Sequence, residues 1–310
     1  MCEDRGSLPS RRIHVLGGKH MRNRKARARA LAFASAATIV STTGLVTAST
    51  VADAAASIPT VTVHMSASKI TFTGGGASTA NGVTTVHAGR IHFHVVTASG
   101  DHALQLMRFH NGYTAQQAQS DFNDAFSGNV PAVQRIDHGV VFRGGAEALP
   151  KHPGDMVVSL PAAQFMAVDQ NGNAAAVLKV VGKAPSRVLQ PYSGVLTAYS
   201  YGWVPSSNLP ASGWVKVTNQ ADQPHFMVLQ HVKSTTTNKM VNQFIASGAQ
   251  GNPSWGLKET AESGVIAPGT SQILRYNLPA GKYLVACFWP DYFSGMPHFF
   301  MGMWKLVTLH

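Results

Sequence analysis

Short runs of β-branched and aromatic residues, broken at close intervals by Gly, Pro and Asn, fill the sequence from residue 57 onward. The first half carries Thr60–Met65, Lys69–Phe72, Arg90–Val96, Met156–Leu160, Gln164–Val168 and Val177–Val181. The second carries Val195–Tyr201, Trp214–Thr218, Phe226–His231, Gln272–Leu278, Tyr283–Phe288 and Met303–Leu309. Such runs between turn residues read as strands, being too short and too β-branched for stable helices. Many short strands bury their apolar faces by stacking sheets, so an all-β sandwich is expected.

The two halves carry the same markers in the same order. Asp101-His102-Ala-Leu-Gln-Leu106 parallels Pro224-His225-Phe-Met-Val-Leu229, Pro153-Gly154 parallels Pro268-Gly269, and Leu160-Pro161-Ala-Ala-Gln-Phe165 parallels Leu278-Pro279-Ala-Gly-Lys-Tyr283. A helical pattern follows each His-containing strand: Ala115, Ala118, Phe122 and Ala125 in the first half, and Met240, Val241, Phe244 and Ile245 in the second. Thr114 and Thr237 are the expected N-caps. The expectation is two tandem Greek-key sandwiches, each with one short inserted helix: residues 57–182, a Pro-containing linker 183–193, and residues 194–310.

Residues 1–56 have a different character. They hold nine of the 25 basic residues and three of the 14 acidic ones, leaving 16 against 11 in the remainder. The leader therefore carries +6 of the overall +11 on 56 of the 310 residues, and no basic stripe of the kind nucleic acids require follows it. The basic start at Met21, the uncharged Ala30–Ala52 run and the small residues Ala52 and Ala54 read as a signal peptide rather than a transmembrane anchor, with Met21 as the true start and cleavage between Ala54 and Ser57. A secreted, extracellular protein with no stable membrane insertion after cleavage is expected. Cys2 would be lost with the leader, leaving Cys287 as the one mature cysteine.

Around Cys287 the residue types become specific. A strand delivers Cys287, a Pro/Gly-rich loop follows, and then come Pro297-His298 and Gly302-Met303; upstream, Asn219-Gln-Ala-Asp-Gln-Pro-His225 places a second histidine at the start of a strand. One thiolate, two imidazoles and a thioether form the donor set of a His₂Cys copper site with a weak axial Met. Read singly, His225 is an edge-strand histidine, Met303 is core, and Met301 or Met296 serves equally as the thioether. The joint order carries the reading.

That order resembles the cupredoxin (blue, type 1 copper) family. The resemblance implies one type 1 copper ion in the C-terminal domain, held by His225, Cys287 and His298 with Met303 axial. It further implies electron transfer or copper handling, with an unidentified redox partner or copper donor or acceptor. The aromatic residues Phe288, Trp289, Phe299 and Phe300 are expected to keep water from the metal. In the first half Asp169 aligns with Cys287 and no His-Met string follows, so no complete site is expected there. A metal-free cupredoxin-like binding or cell-surface module is the competing reading.

Enzymatic readings are disfavoured. Copper nitrite reductases and multicopper oxidases resemble this chain in fold but wire a second copper through a His beside the ligand Cys, where this chain has Ala286 and Phe288. One His-x-His pair occurs, His92-Phe-His94, and it reads as a surface strand face. Gly74-Gly-Gly76 lacks the downstream Lys of a phosphate loop, and no nucleophile elbow or His-Glu-x-x-His string is found.

Overall fold

The computed structural model describes residues 57–110, 112–183 and 189–310. The leader, with its expected cleavage site and Met21 start, and residues 184–188 of the linker lie outside the described residues.

The first half runs β1 (Thr60–Ser66), β2 (Lys69–Thr73), β3 (Ser78–Ala80), β4 (Val83–His87), β5 (Gly89–Thr97), β6 (His102–Phe109), α1 (Ala115–Ala125), α2 (Val130–Gly139), β7 (Val140–Ala148), β8 (Gly154–Leu160), β9 (Ala163–Asp169) and β10 (Ala175–Val181). The second runs β11 (Gly194–Tyr199), β12 (Gly202–Pro205), β13 (Ser212–Asn219), β14 (Val228–Val232), α3 (Asn238–Ala246), β15 (Gly256–Glu262), β16 (Ser271–Asn277), β17 (Gly281–Ala286) and β18 (Trp304–Leu309). Strict alternation marks the half-buried strands. In β1, Val61, Val63 and Met65 point inward while their neighbours face out.

The same pairing scheme recurs in both halves. β1 runs parallel to β5, which is antiparallel to β8; β11 runs parallel to β13, which is antiparallel to β16. β6 lies between β7 and β9 as β14 lies between β15 and β17, and β9–β10 corresponds to β17–β18. These pairings build a six-stranded sheet (β3-β4-β10-β9-β6-β7), a four-stranded sheet (β15-β14-β17-β18) and an eight-stranded sheet (β12-β11-β13-β16-β8-β5-β1-β2). Each smaller sheet faces one part of the large one, giving two sandwiches whose inward residues form one continuous core. The expected all-β, two-sandwich fold is what the chain adopts.

Strands β3, β4, β7, β12 and β15 fall outside the runs marked in the sequence, and two further features depart from that reading. The first half has two helices rather than one. α1 starts at a reciprocal Thr114–Gln117 capping box, and α2 starts at Asn129, whose side chain accepts the Ala132 N–H, with Pro131 in its first turn. In addition, the halves share a sheet, because β16 pairs with β8 through Ile273↔Val157, Leu274↔Met156 and Arg275↔Asp155.

A second seam joins Arg143 and Ala146 of β7 to Ile266 and Ser263. Here the backbones approach so closely that a Cβ on Gly264 would lie 2.2 Å from the Gly145 nitrogen. The fully buried Gln105 closes this seam: its amide donates to the carbonyls of Gly144 and Val265 and its oxygen accepts the Val265 N–H at 2.7 Å. Outside the main core, Val241 and Phe244 of α3 cluster with Leu284, Ala286, Phe288 and Phe299. Among the described residues no helix is long and apolar enough to cross a membrane.

Candidate metal centre

A separate local device positions each proposed ligand. Buried Asn219 folds the loop before His225: its Oδ1 accepts the Ala221 N–H, and its Nδ2 donates to the carbonyls of Gln223 (2.7 Å) and Ile266 (3.0 Å). The backbone of His225 then exchanges two hydrogen bonds with Ile266, the residue paired to Arg143 of the first half. Cys287 follows β17 directly, and its N–H donates to the Met303 carbonyl. His298 opens a single 3₁₀ turn, His298–Met301, closed by Gly302 at a positive φ of 99° that favours glycine. The Met303 N–H returns to the His298 carbonyl at 3.0 Å, locking the three segments together.

These devices bring His225, Cys287 and His298 into one buried group, with ligand atoms mutually within 4.8 Å. The Nδ1 atoms of the two histidines are 3.1 Å apart; Cys287 Sγ is 3.5 Å from that of His225 and 3.8 Å from that of His298. A point equidistant from all three atoms lies about 2.0 Å from each, the length of a metal–imidazole bond. The donor triangle therefore already has the size a metal ion requires. Both histidines present Nδ1; His225 Nε2 is buried with no hydrogen-bond partner, while His298 Nε2 donates to Gln223 Oε1 at 3.2 Å.

Burial sets the protonation of the group. It pushes the Cys287 thiol up to about 12, against the backbone N–H groups of Phe226 and Trp289. It pushes His225 down to about 3, helped by the neighbouring His298, and His298 down to about 4, although the Asp291 and Asp222 carboxylates oppose that shift. At neutral pH the metal-free group is one thiol and two neutral imidazoles, so metal binding must expel the thiol proton.

Met303 is fully buried in the same core cluster as Cys287. The alternative thioethers lie in more open surroundings: Met301 Sδ stands 3.7 Å from the Ser294 hydroxyl, and Met296 is about half exposed. Met227 is a fully buried methionine that the sequence reading passed over. Its signal was available, since residues two apart on an extended segment share a face and Met227 stands two beyond His225. Of the four aromatic residues expected to exclude water, Trp289 belongs to the Cys287 cluster, packed on Phe142 and Phe122 of the first half. Phe288, Phe299 and Phe300 pack instead in the outer cluster beneath α3.

Three polar residues that the sequence did not mark close the site. Asp291, four residues beyond Cys287, accepts on one oxygen the N–H groups of Phe293 and Ser294 and the Ser294 hydroxyl. Its other oxygen accepts the Tyr201 hydroxyl at 2.7 Å and the Gln223 amide at 3.0 Å. Burial alone would raise this carboxyl, but hydrogen bonds from Gln223, Ser294 and Tyr201 hold it well below the usual carboxylate range. The ring of Tyr201 stands edge-on to His298, and His298 is consequently sealed from solvent.

In the first half, the His102 Nδ1 meets Asp169 Oδ2 at 2.6 Å, and the other Asp169 oxygen accepts the Ala103 N–H. The Cys287 thiol likewise meets the N–H of Phe226, the residue after His225. Asp169 thus occupies the place of Cys287, as the alignment of the halves expected. Among the described residues no third ligating side chain joins His102 and Asp169.

No family model and no curated protein matches the sequence. Among solved structures, auracyanin from Roseiflexus castenholzii is 17% identical, covering 37% of this chain and 94% of its own, with a TM-score of 0.22. A multi-copper oxidase from Pediococcus acidilactici is 9% identical over 81% of this chain and 58% of its own, with a TM-score of 0.21. The copper nitrite reductase from Nitrosomonas europaea is 11% identical over 81% of this chain and 93% of its own, also at 0.21. Likenesses this distant carry no argument about activity. In its two β-sandwiches and its buried His-Cys-His group with a buried Met, the chain resembles the cupredoxin, or type 1 copper, family.

Proposed function

We propose that the chain is a secreted copper protein that holds one ion between His225, Cys287 and His298, with Met303 as a weak axial ligand, and serves in electron transfer or copper handling. The observation that carries the reading is the donor triangle, whose sides of 3.1, 3.5 and 3.8 Å leave a metal-sized centre lined by one sulfur and two imidazole nitrogens. A bound copper ion supplies a one-electron couple, the thiolate suiting Cu(I) and the imidazoles Cu(II).

The chain's own residues do the rest. Gln223 accepts the His298 Nε2–H and so turns the Nδ1 lone pair inward. The Asn219 loop and the Asp291-pinned loop hold the two imidazoles in place, which keeps reorganisation small. Full burial of Cys287 and His298 keeps water away. Exposed Phe293 and Met296, both on the loop between Cys287 and His298, support contact with a partner beside the site. Ala286 and Phe288 flank Cys287, which supports a carrier rather than an oxidase or reductase with a relay histidine at that position. Secretion rests on the leader sequence.

Electrochemistry of the copper-loaded chain tests this reading. A reversible one-electron couple with one copper per chain is expected; a copper content near zero contradicts the reading, and copper released on reduction contradicts its electron-transfer role.

A further inference from the structure

His92 and His94 project from the same face of β5, and Asp155 faces His94 directly across the β5–β8 pair. Asp155 Oδ1 lies 2.7 Å from His92 Nε2 and 2.8 Å from His94 Nδ1. The three ligand atoms lie mutually within 4.8 Å. The histidine side chains are 22% and 34% exposed and that of Asp155 10%, so the group is open to ions from solution yet held by two central strands of the large sheet. The sequence showed the His-x-His pair; the carboxylate, contributed from a neighbouring strand, converts it into a three-donor cluster.

We infer that this cluster is a second metal site, independent of the buried one, for a divalent ion of square-planar or octahedral preference such as Cu(II) or Ni(II). Two donors bonded at about 2.0 Å and a right angle stand about 2.8 Å apart, whereas a tetrahedral angle would put them about 3.3 Å apart. The observed nitrogen–oxygen edges of 2.7 and 2.8 Å match the right angle.

The surroundings fit both the empty and the loaded state. Thr60 Oγ1 lies 3.1 Å from His92 Nδ1. Without a metal the hydroxyl can donate to Nδ1 while Nε2–H donates to Asp155; with one, Nδ1–H donates to the hydroxyl and the Nε2 lone pair faces the ion. Trp214 stands edge-on to His92 at 5.3 Å and limits its rotation. Arg275, opposite Asp155 on β16, is exposed, so its charged end can remain in water.

Nickel(II) titrated into the full chain tests the site, read by calorimetry and by paramagnetic loss of imidazole ring signals. The ring signals of His92 and His94 should vanish first. His94→Gln and Asp155→Asn should each weaken binding at least tenfold, while the surface control His64→Ala leaves it unchanged. His94 is the most exposed of the three donors, so His94→Gln keeps the test available if Asp155→Asn does not fold. Equal nickel affinity in wild type and His94→Gln, or first loss of signals from other histidines, overturns the inference.

Discussion

The Nδ1 atoms of His225 and His298 lie 3.1 Å apart inside the core, with Cys287 Sγ completing the triangle. With the thiol pushed up to about 12 and both imidazoles pushed down to about 3 and 4, the metal-free group carries one displaceable proton at neutral pH. Copper(II) binding at pH 7 should therefore release one proton per chain, measured by calorimetry in buffers of different ionisation enthalpy. Zero release would remove Cys287 from the ligand set.

The same burial makes metal-free stability depend on pH. A histidine whose folded-state pKa is depressed takes up its proton more readily when unfolded. The contribution is intact above about pH 6.5 and lost as pH falls toward about 4, by on the order of 3 kcal/mol per histidine. Denaturant unfolding of the copper-free chain should show this slope, and His298→Gln should flatten it. A pH-independent midpoint between 7 and 4 would contradict the assignment of both rings as neutral.

Gln223 bridges the metal group and the loop that carries it, bonding His298, Asp291 and the Tyr292 N–H. Gln223→Ala should lower copper affinity by about 10- to 100-fold, measured by chelator competition, with the thiolate-to-copper colour retained. Unchanged affinity would mean that the loop alone fixes the His298 ring.

Met303 and Met227, both fully buried in the core cluster of Cys287, can be told apart. Met303→Leu, close in volume, should keep copper and shift its potential, whereas Met227→Leu should leave the potential unmoved; each should cost less than about 1.5 kcal/mol of stability. A shift from Met227→Leu instead would reassign the axial sulfur.

Gly264→Ala tests the seam between the halves. The added methyl would meet the Gly145 backbone at 2.2 Å, with no flexible side chain to give way. A loss of about 1–3 kcal/mol is expected, accompanied by weaker copper binding because Ile266, two residues on, fixes His225. Wild-type stability would show that the seam opens freely.

Many strands were legible because their burial is periodic, the run Thr60–Met65 and the strand Thr60–Ser66 differing by one residue, whereas β3, β4, β7, β12 and β15 lie outside the marked runs. Thr114 and Thr237 cap their helices because a hydroxyl before an apolar-periodic run has a defined job. His225, Cys287 and His298, which the fold brings together, stood out in the sequence because few chemistries combine Cys, two His and Met in that order. Gln223, Asp291 and Tyr201 were not, since their roles arise from hydrogen bonds that fold distant loops together. Asp155 was hidden for the same reason, being 61 residues from His94 and joined to it through strand register. The shared sheet was equally hidden, because nothing in β8 or β16 taken alone marks the partner strand.

The central claim is that Cys287 binds copper as a thiolate. Visible absorption of the copper(II)-loaded chain, beside that of Cys287→Ser, tests it most directly. The account predicts an intense thiolate-to-copper band in the wild type that is absent from the serine variant, with the circular dichroism of the two proteins superimposable. A copper-loaded wild type without that band, or a band that survives Cys287→Ser, would contradict it.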